Sequence, residues 1–181
     1  MLSRRSILRA AGGGALAGLL PLPRAAAAEI VEIRMRGNED GSKVWFDPVG
    51  LLIEPGRTVR WISADPANSH TSTAYHPSNG DHSLRIPEAA RPWNSDYLLP
   101  KEHFDVTLTV EGVYDFFCMP HEMAGMVGRI VVGRPDGPGA LPFDYFTAAH
   151  PGWLAVPEEA RPVFPAIDEI MRERVVRRRI S

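Results

Sequence analysis

The chain has 181 residues, with 20 Lys and Arg against 22 Asp and Glu and a formal net charge of −2. That balance excludes a strongly basic nucleic-acid-binding domain, so no nucleic acid is expected among the partners. The single cysteine, Cys118, excludes an internal disulfide framework, a four-cysteine zinc site and an iron–sulfur cluster held by several thiolates of one subunit.

Residues 3–8 read Ser-Arg-Arg-Ser-Ile-Leu, followed by a Gly/Ala/Leu run from Ala10 to Leu20, then Pro21, Pro23 and the small-residue stretch Ala25 to Ala28. A charged head, an apolar middle and a small-residue cleavage site are the parts of an export signal. The paired Arg4 and Arg5 and the glycines diluting the apolar run predict a twin-arginine signal over residues 1–28, which exports folded proteins and places the product in the periplasm, with an ordinary secretory signal as the alternative. The apolar run is about half of the roughly 20 residues that a membrane-spanning helix needs, so no stable membrane anchor is expected. Cleavage after Ala28 leaves 16 basic against 22 acidic side chains, a net charge of −6.

Residues 29–133 read as one all-β domain. Val31, Ile33 and Met35 share one face of a strand, with Glu32 and Arg34 on the other. Glu54-Pro55-Gly56 is a turn, with Pro setting the first central dihedral and Gly accepting a positive second one. Phe104, Val106, Leu108 and Val110 alternate with Asp105, Thr107 and Thr109, then Glu111-Gly112 turns the chain into the run Val113 to Cys118, and Met126 to Val132 makes a last strand. Several strands at this spacing predict a sandwich. Residues 76–100 are rich in Pro, Asn, Ser and Asp without a clear period, and are expected to form an ordered insertion.

Residues 134–181 form a separate extension. Seven of the 17 prolines lie there, which forbids long regular elements until about Pro165. From Ala166 onward, Ile167, Ile170, Met171 and Val175 recur at helical spacing, with Asp168 and Glu169 early and Arg177 to Arg179 late, which predicts a terminal amphipathic helix. The segment Arg172 to Ser181 carries five Arg and one Glu. It is either a solvated helix end packed on the sandwich or a docking element for an acidic partner or an anionic surface.

The chemistry concentrates in Cys118-Met119-Pro120-His121-Glu122-Met123-Ala124-Gly125-Met126. A thiolate, an imidazole and a thioether in one short loop select copper among the biological metals, and two imidazoles with a thiolate and a weak axial Met make a blue-copper electron-transfer site. The loop lacks a second His, for which His70, His76, His82 and His103 are the upstream candidates. His76 shares the strand parity of His70 but is followed by Pro77. Met123 competes with Met126 for the axial place, although two residues from His121 is a short reach. His76, Asp81, His82 and His103 are also the residues from which a second metal site would be built.

Tyr114 to Gly133, read as YDFFCMPHEMAGMVGRIVVG, closely resembles the C-terminal motif of the plastocyanin, pseudoazurin and halocyanin branch of the cupredoxins. The resemblance spans roughly Glu29 to Gly133. It implies a Greek-key β-sandwich, here with a C-terminal extension ending in an α-helix, and one copper ion per chain cycling between Cu(I) and Cu(II). Carried over position by position, it implies His70, Cys118, His121 and Met126 as ligands. It also implies an electron-exit patch around His121, built here from Met119, Pro120, Met123, Ala124 and Gly125. His70 is followed by Thr-Ser-Thr-Ala-Tyr-His-Pro instead of the apolar run typical of plastocyanins.

The expected function is one-electron transfer between extracytoplasmic redox proteins such as cytochromes or copper enzymes. No nucleophile elbow, phosphate-cradling loop or His-Glu-x-x-His motif points to an enzyme, and four ligands on one copper leave no open position for substrate. The competing expectation is a periplasmic copper carrier or storage protein, and a third is a copper module of a larger respiratory complex with the extension as its tether.

Overall fold

Alternation decides the first sheet. In a computed structural model, which describes residues 30–146 and 149–177, β1 (Ile30–Gly37) buries Ile33 and Met35 and turns Glu32 and Arg34 outward. The export signal expected over residues 1–28 lies outside the described residues. Strand β1 pairs antiparallel with β2 (Val44–Asp47) and parallel with β4 (Arg57–Ser63), and β4 pairs antiparallel with β6 (His103–Leu108), giving the order β2-β1-β4-β6. The Glu54-Pro55-Gly56 turn leads into β4, with Gly56 at φ 88°, a conformation that favours glycine. Where Arg60 faces Asp105 across β4 and β6, the guanidinium donates to both carboxylate oxygens at 2.8 and 2.7 Å.

The second sheet reads differently in the sequence because it is covered on both sides. Its order is β5 (Thr73–Ala74), β7 (Gly112–Phe117), β8 (Val127–Val132), β3 (Gly50–Ile53) and β9 (Val175–Val176). Every residue of β7 and β8 is buried, and neither strand shows the polar alternation of β6, although each places one charged residue, Asp115 or Arg129, inside. One face meets the first sheet across a core of Phe46, Trp61, Phe116 and Ile130, into which the insertion sends Trp93, 5.5 Å from the Trp61 ring. The other face lies under the extension. Phe164, Val156 and Ala160 pack with Tyr75, Phe117 and Val127, while Ile170 and Val176 pack with Val49, Val113 and Val131.

A charged cluster fastens that cover. Asp115 of β7 is fully buried between Arg85 of the insertion, at 2.7 Å, and Arg129 of β8, also at 2.7 Å. Arg85 donates further to the carbonyls of Gly139, Leu141 and Pro142, and Arg129 to that of Pro165. Both guanidinium groups lie over the ring of Phe143. The arginines therefore use one carboxylate for charge and the extension's main chain for their remaining donors, which is how a buried ion pair offsets its desolvation.

The terminal helix is shorter than its apolar spacing predicts. Helix α1 spans Ile167–Glu173, and Arg174 at φ 63° breaks it. Val175, expected on the helical stripe, instead joins β9 antiparallel to β3, with Leu51 facing Val175 and Gly50 facing Val176. The edge of β3 offers unpaired main-chain groups that a further helical turn leaves unused: Leu52 N–H donates to Arg174 O at 2.7 Å, and Val49 N–H to Val176 O at 2.9 Å. Arg177 then pairs with Asp47 of β2. Of the charged C-terminal segment, Val176 is buried in β9 and Arg172, Glu173, Arg174, Val175 and Arg177 are exposed, while residues 178–181 lie outside the described residues.

Candidate metal centre

The strand β7 ends by delivering Cys118 to one end of the sandwich. A single 3-10 turn, Met119–His121, follows, with Pro120 near its start, where a missing N–H costs nothing. His121 N–H donates back to Cys118 O at 2.9 Å, Met126 N–H to His121 O at 3.0 Å, and Cys118 N–H to Met126 O at 3.0 Å. These bonds close residues 118–126 into a loop in which Gly125 takes φ 75°. His70 arrives from the segment after β4, held by paired main-chain bonds with Leu98 of the insertion at 3.2 and 2.8 Å.

His70, Cys118 and His121 come together. Sγ of Cys118 lies 3.7 Å from Nδ1 of His70 and 3.4 Å from Nδ1 of His121, and the two imidazole rings are 5.0 Å apart. Among the described residues they are the group of three or more His, Cys, Asp or Glu able to hold a metal ion, with ligand atoms all within 4.8 Å of one another. His70, Cys118 and Met126 are fully buried, and His121 is half-buried at the protein surface. Soft sulfur beside two imidazoles in a dry cluster of this size suits copper, so the residues present fit that ion.

Electrostatics keep the site ready for a cation. Burial pushes the Cys118 thiol up to about 11, although Thr71 and His121 act the other way. Burial also holds both imidazoles below the usual histidine value, with His70 adding to the effect at His121 and Asp65 opposing it at both rings. Both rings are therefore neutral at neutral pH, and each can offer one nitrogen lone pair to a cation. Thr71 N–H donates to Cys118 Sγ at 3.3 Å, and the Thr71 hydroxyl accepts the N–H of Met119 at 2.9 Å.

Behind His70 stands a residue that the sequence reading missed. Asp65 is fully buried, and its Oδ2 lies 3.0 Å from Nε2 of His70. It reads as a turn residue before Pro66, and the only signal in the sequence is its spacing of five from His70. Burial works against its charge, but the Asn68 side chain, Ala67 N–H and His70 outweigh it and hold the carboxyl below the usual range.

The remaining expected residues divide. Met126 is buried, whereas Met123, its competitor, is 65% exposed. Met119, Pro120, Met123 and Ala124 are exposed around His121. Gly125, expected among them, is buried: a Cβ there would stand 2.9 Å from Cγ2 of Val163, so the extension covers this side of the loop. His76 bonds within its own turn to Ser78 at 2.8 Å. Asp81 is exposed, and His103 is an exposed residue at the start of β6. His82 lies on Phe117, 4.4 Å between ring centroids, with its nitrogens at Asn79 O (2.7 Å) and Glu122 Oε2 (3.2 Å). Among the described residues, the group able to hold a metal ion includes none of the four named for a second site.

Residues 33–133 match the family model described as copper binding proteins, plastocyanin/azurin family. A pseudoazurin of Methylorubrum extorquens is 30% identical over 135 residues, covering 74% of this chain and 79% of the relative. A chloroplastic plastocyanin of Oryza sativa subsp. indica is 34% identical over 132 residues, covering 71% and 80%. Among solved structures, pseudoazurin from Methylobacterium extorquens matches with 25% identity and a TM-score of 0.47, over 60% of this chain and 79% of that one.

Proposed function

Because this chain belongs to the plastocyanin/azurin family of copper-binding proteins, we propose that it is a one-electron carrier whose copper is held by His70, Cys118, His121 and Met126. The observation that carries this reading is the convergence of one sulfur and two imidazole Nδ1 atoms within 4.8 Å. Bound there, copper supplies a Cu(II)/Cu(I) couple.

Cys118 ligates as the thiolate, its proton leaving when the metal enters. His70, on a segment tied to the insertion, and His121, on the hydrogen-bonded 118–126 loop, would hold the ion from a frame fixed by main-chain bonds, which suits a change of oxidation state with little movement. Met126, buried immediately before β8, would supply a weak thioether ligand. The half-buried edge of His121 is the exit for the electron, ringed by exposed Met119, Pro120, Met123 and Ala124. A small apolar ring of this kind suits the brief, weak contacts of redox partners.

Residues 1–28 act as a twin-arginine signal, residues 29–133 as the copper domain with its insertion at 76–100, and residues 134–181 as an extension whose described part covers the second sheet. The exported chain works in the periplasm between proteins such as cytochromes and copper enzymes. Its net charge of −6 after cleavage favours a partner with a basic face. Storage of copper as cargo has the exposed Met119 and Met123 in its favour, while the buried His70 and Cys118 favour an ion that stays.

Potentiometric titration of the copper-loaded protein tests the assignment: one reversible electron per chain is expected, and a site that takes up none contradicts it. Stopped-flow reduction by a basic c-type cytochrome tests the steering. The rate falls as salt rises if the acidic body guides encounter, and a rate independent of ionic strength overturns that part.

A further inference from the structure

Asp65 is built into the molecule with unusual care for a residue outside the ligand set. Its side chain has no solvent exposure. Oδ1 accepts the main-chain N–H of Ala67 at 2.8 Å and, more distantly, that of Asn68 at 3.4 Å. Oδ2 accepts the Asn68 side-chain amide at 2.9 Å and faces Nε2 of His70 at 3.0 Å. The space for the carboxylate is made by Gly37 at the end of β1, where a Cβ would stand 2.1 Å from Oδ2 and 2.6 Å from the carboxylate carbon.

Ala67 and Asn68 present only donors to Asp65. The one acceptor a protonated carboxyl would find is Nε2 of His70 itself, whereas the donors of Ala67 and Asn68 stabilise a carboxylate, so the geometry favours the ionised form. An ionised carboxylate accepts and cannot donate, so the nitrogen opposite must carry the proton. His70 is thereby held as the Nε2–H tautomer, which leaves the lone pair of Nδ1 aimed at the cluster where Cys118 Sγ lies 3.7 Å away.

We propose that Asp65 is a positioning residue for the copper site that also sets its redox balance: the carboxylate fixes the ligating tautomer of His70 and lends the imidazole negative charge, favouring Cu(II) over Cu(I). The inference rests on the copper reading above. Its physical basis is that a carboxylate on the far nitrogen of a ligating histidine raises the ligand's basicity. A buried charge acts through a medium far less polar than water. Reduction adds one electron to the metal, and no proton moves at Asp65.

The test compares native protein with Asp65→Asn, both loaded with copper. Native protein shows the intense thiolate-to-copper band. The variant is expected to keep that band and to favour the reduced ion by tenfold or more, a rise in potential of at least about 59 mV for a one-electron couple. A blue variant with an unchanged potential overturns the proposal, whereas a native protein with no blue band overturns the copper reading instead. The metal-free native protein gives an independent test that needs no variant. Nitrogen NMR is expected to find His70 protonated at Nε2, and protonation at Nδ1 overturns the assignment.

Discussion

Thr71 donates its main-chain N–H to the sulfur of Cys118 at 3.3 Å, while its hydroxyl accepts the N–H of Met119, the next residue along the loop. One residue beside the first histidine therefore locks the loop that carries the thiol. Replacing Thr71 with Val keeps the shape and removes the acceptor, leaving the part-buried Met119 N–H without its partner. The cost is about 1–3 kcal/mol. Chemical denaturation of the metal-free variant reads it, and an unchanged midpoint contradicts the lock.

Metal uptake should depend on pH through one group. The Cys118 thiol, raised to about 11 by burial, is protonated at neutral pH, whereas His70 and His121, lowered mainly by burial, have already lost their protons. Copper binding at pH 7.5 therefore releases one proton per ion, and affinity tightens by about tenfold per pH unit until the thiol itself titrates. Calorimetry in buffers of different ionisation heat measures the proton count, and release of two or none contradicts this assignment.

The second sheet depends on a buried charge that the extension helps to satisfy. Removing one partner from such a cluster leaves the others uncompensated, and Asp115→Ala should cost about 3–5 kcal/mol. The loss comes from two arginines, Arg85 and Arg129, that keep their charge without a counterion. Denaturant unfolding of the metal-free protein measures it. A loss under about 1 kcal/mol, the range of an exposed pair, contradicts the buried role.

His82 is shifted in the opposite direction to the two ligand histidines. Burial disfavours its charge, but the Glu122 carboxylate and the Asn79 carbonyl overcome this and raise it above the usual 6.5. A raised folded value means that the His82–Glu122 contribution is complete below about pH 6.5 and fades as pH rises through the folded midpoint. Proton NMR of the native protein should place the His82 midpoint above 6.5, and Glu122→Gln should lower it. A native midpoint below 6.5 contradicts the pairing.

The copper loop was legible because three of its donors lie within nine residues, where local spacing carries the chemistry. His70 needed the resemblance, since it meets Cys118 only through the sandwich. Asp65 and the Arg85–Asp115–Arg129 cluster were not legible, because each joins residues distant in sequence or disguised as turn residues. Val175 followed helical spacing in the sequence and a strand in the fold, since the free edge of β3 outweighed the period. The stretches Val113 to Phe117 and Val127 to Val132 lack the strict polar alternation of β6, being broken only by Asp115 and Arg129, and the Pro-rich extension covers the second face of their sheet. The same cover explains Gly125, which sits under Val163 and not in the exposed ring around His121.

The central claim is that Cys118 ligates copper as a thiolate with two imidazoles and the Met126 thioether. The visible spectrum of the Cu(II)-loaded protein tests it most directly. The account predicts an intense thiolate-to-copper charge-transfer band, abolished in Cys118→Ser and shifted in Met126→Leu; a colourless Cu(II) adduct of the native protein would contradict it.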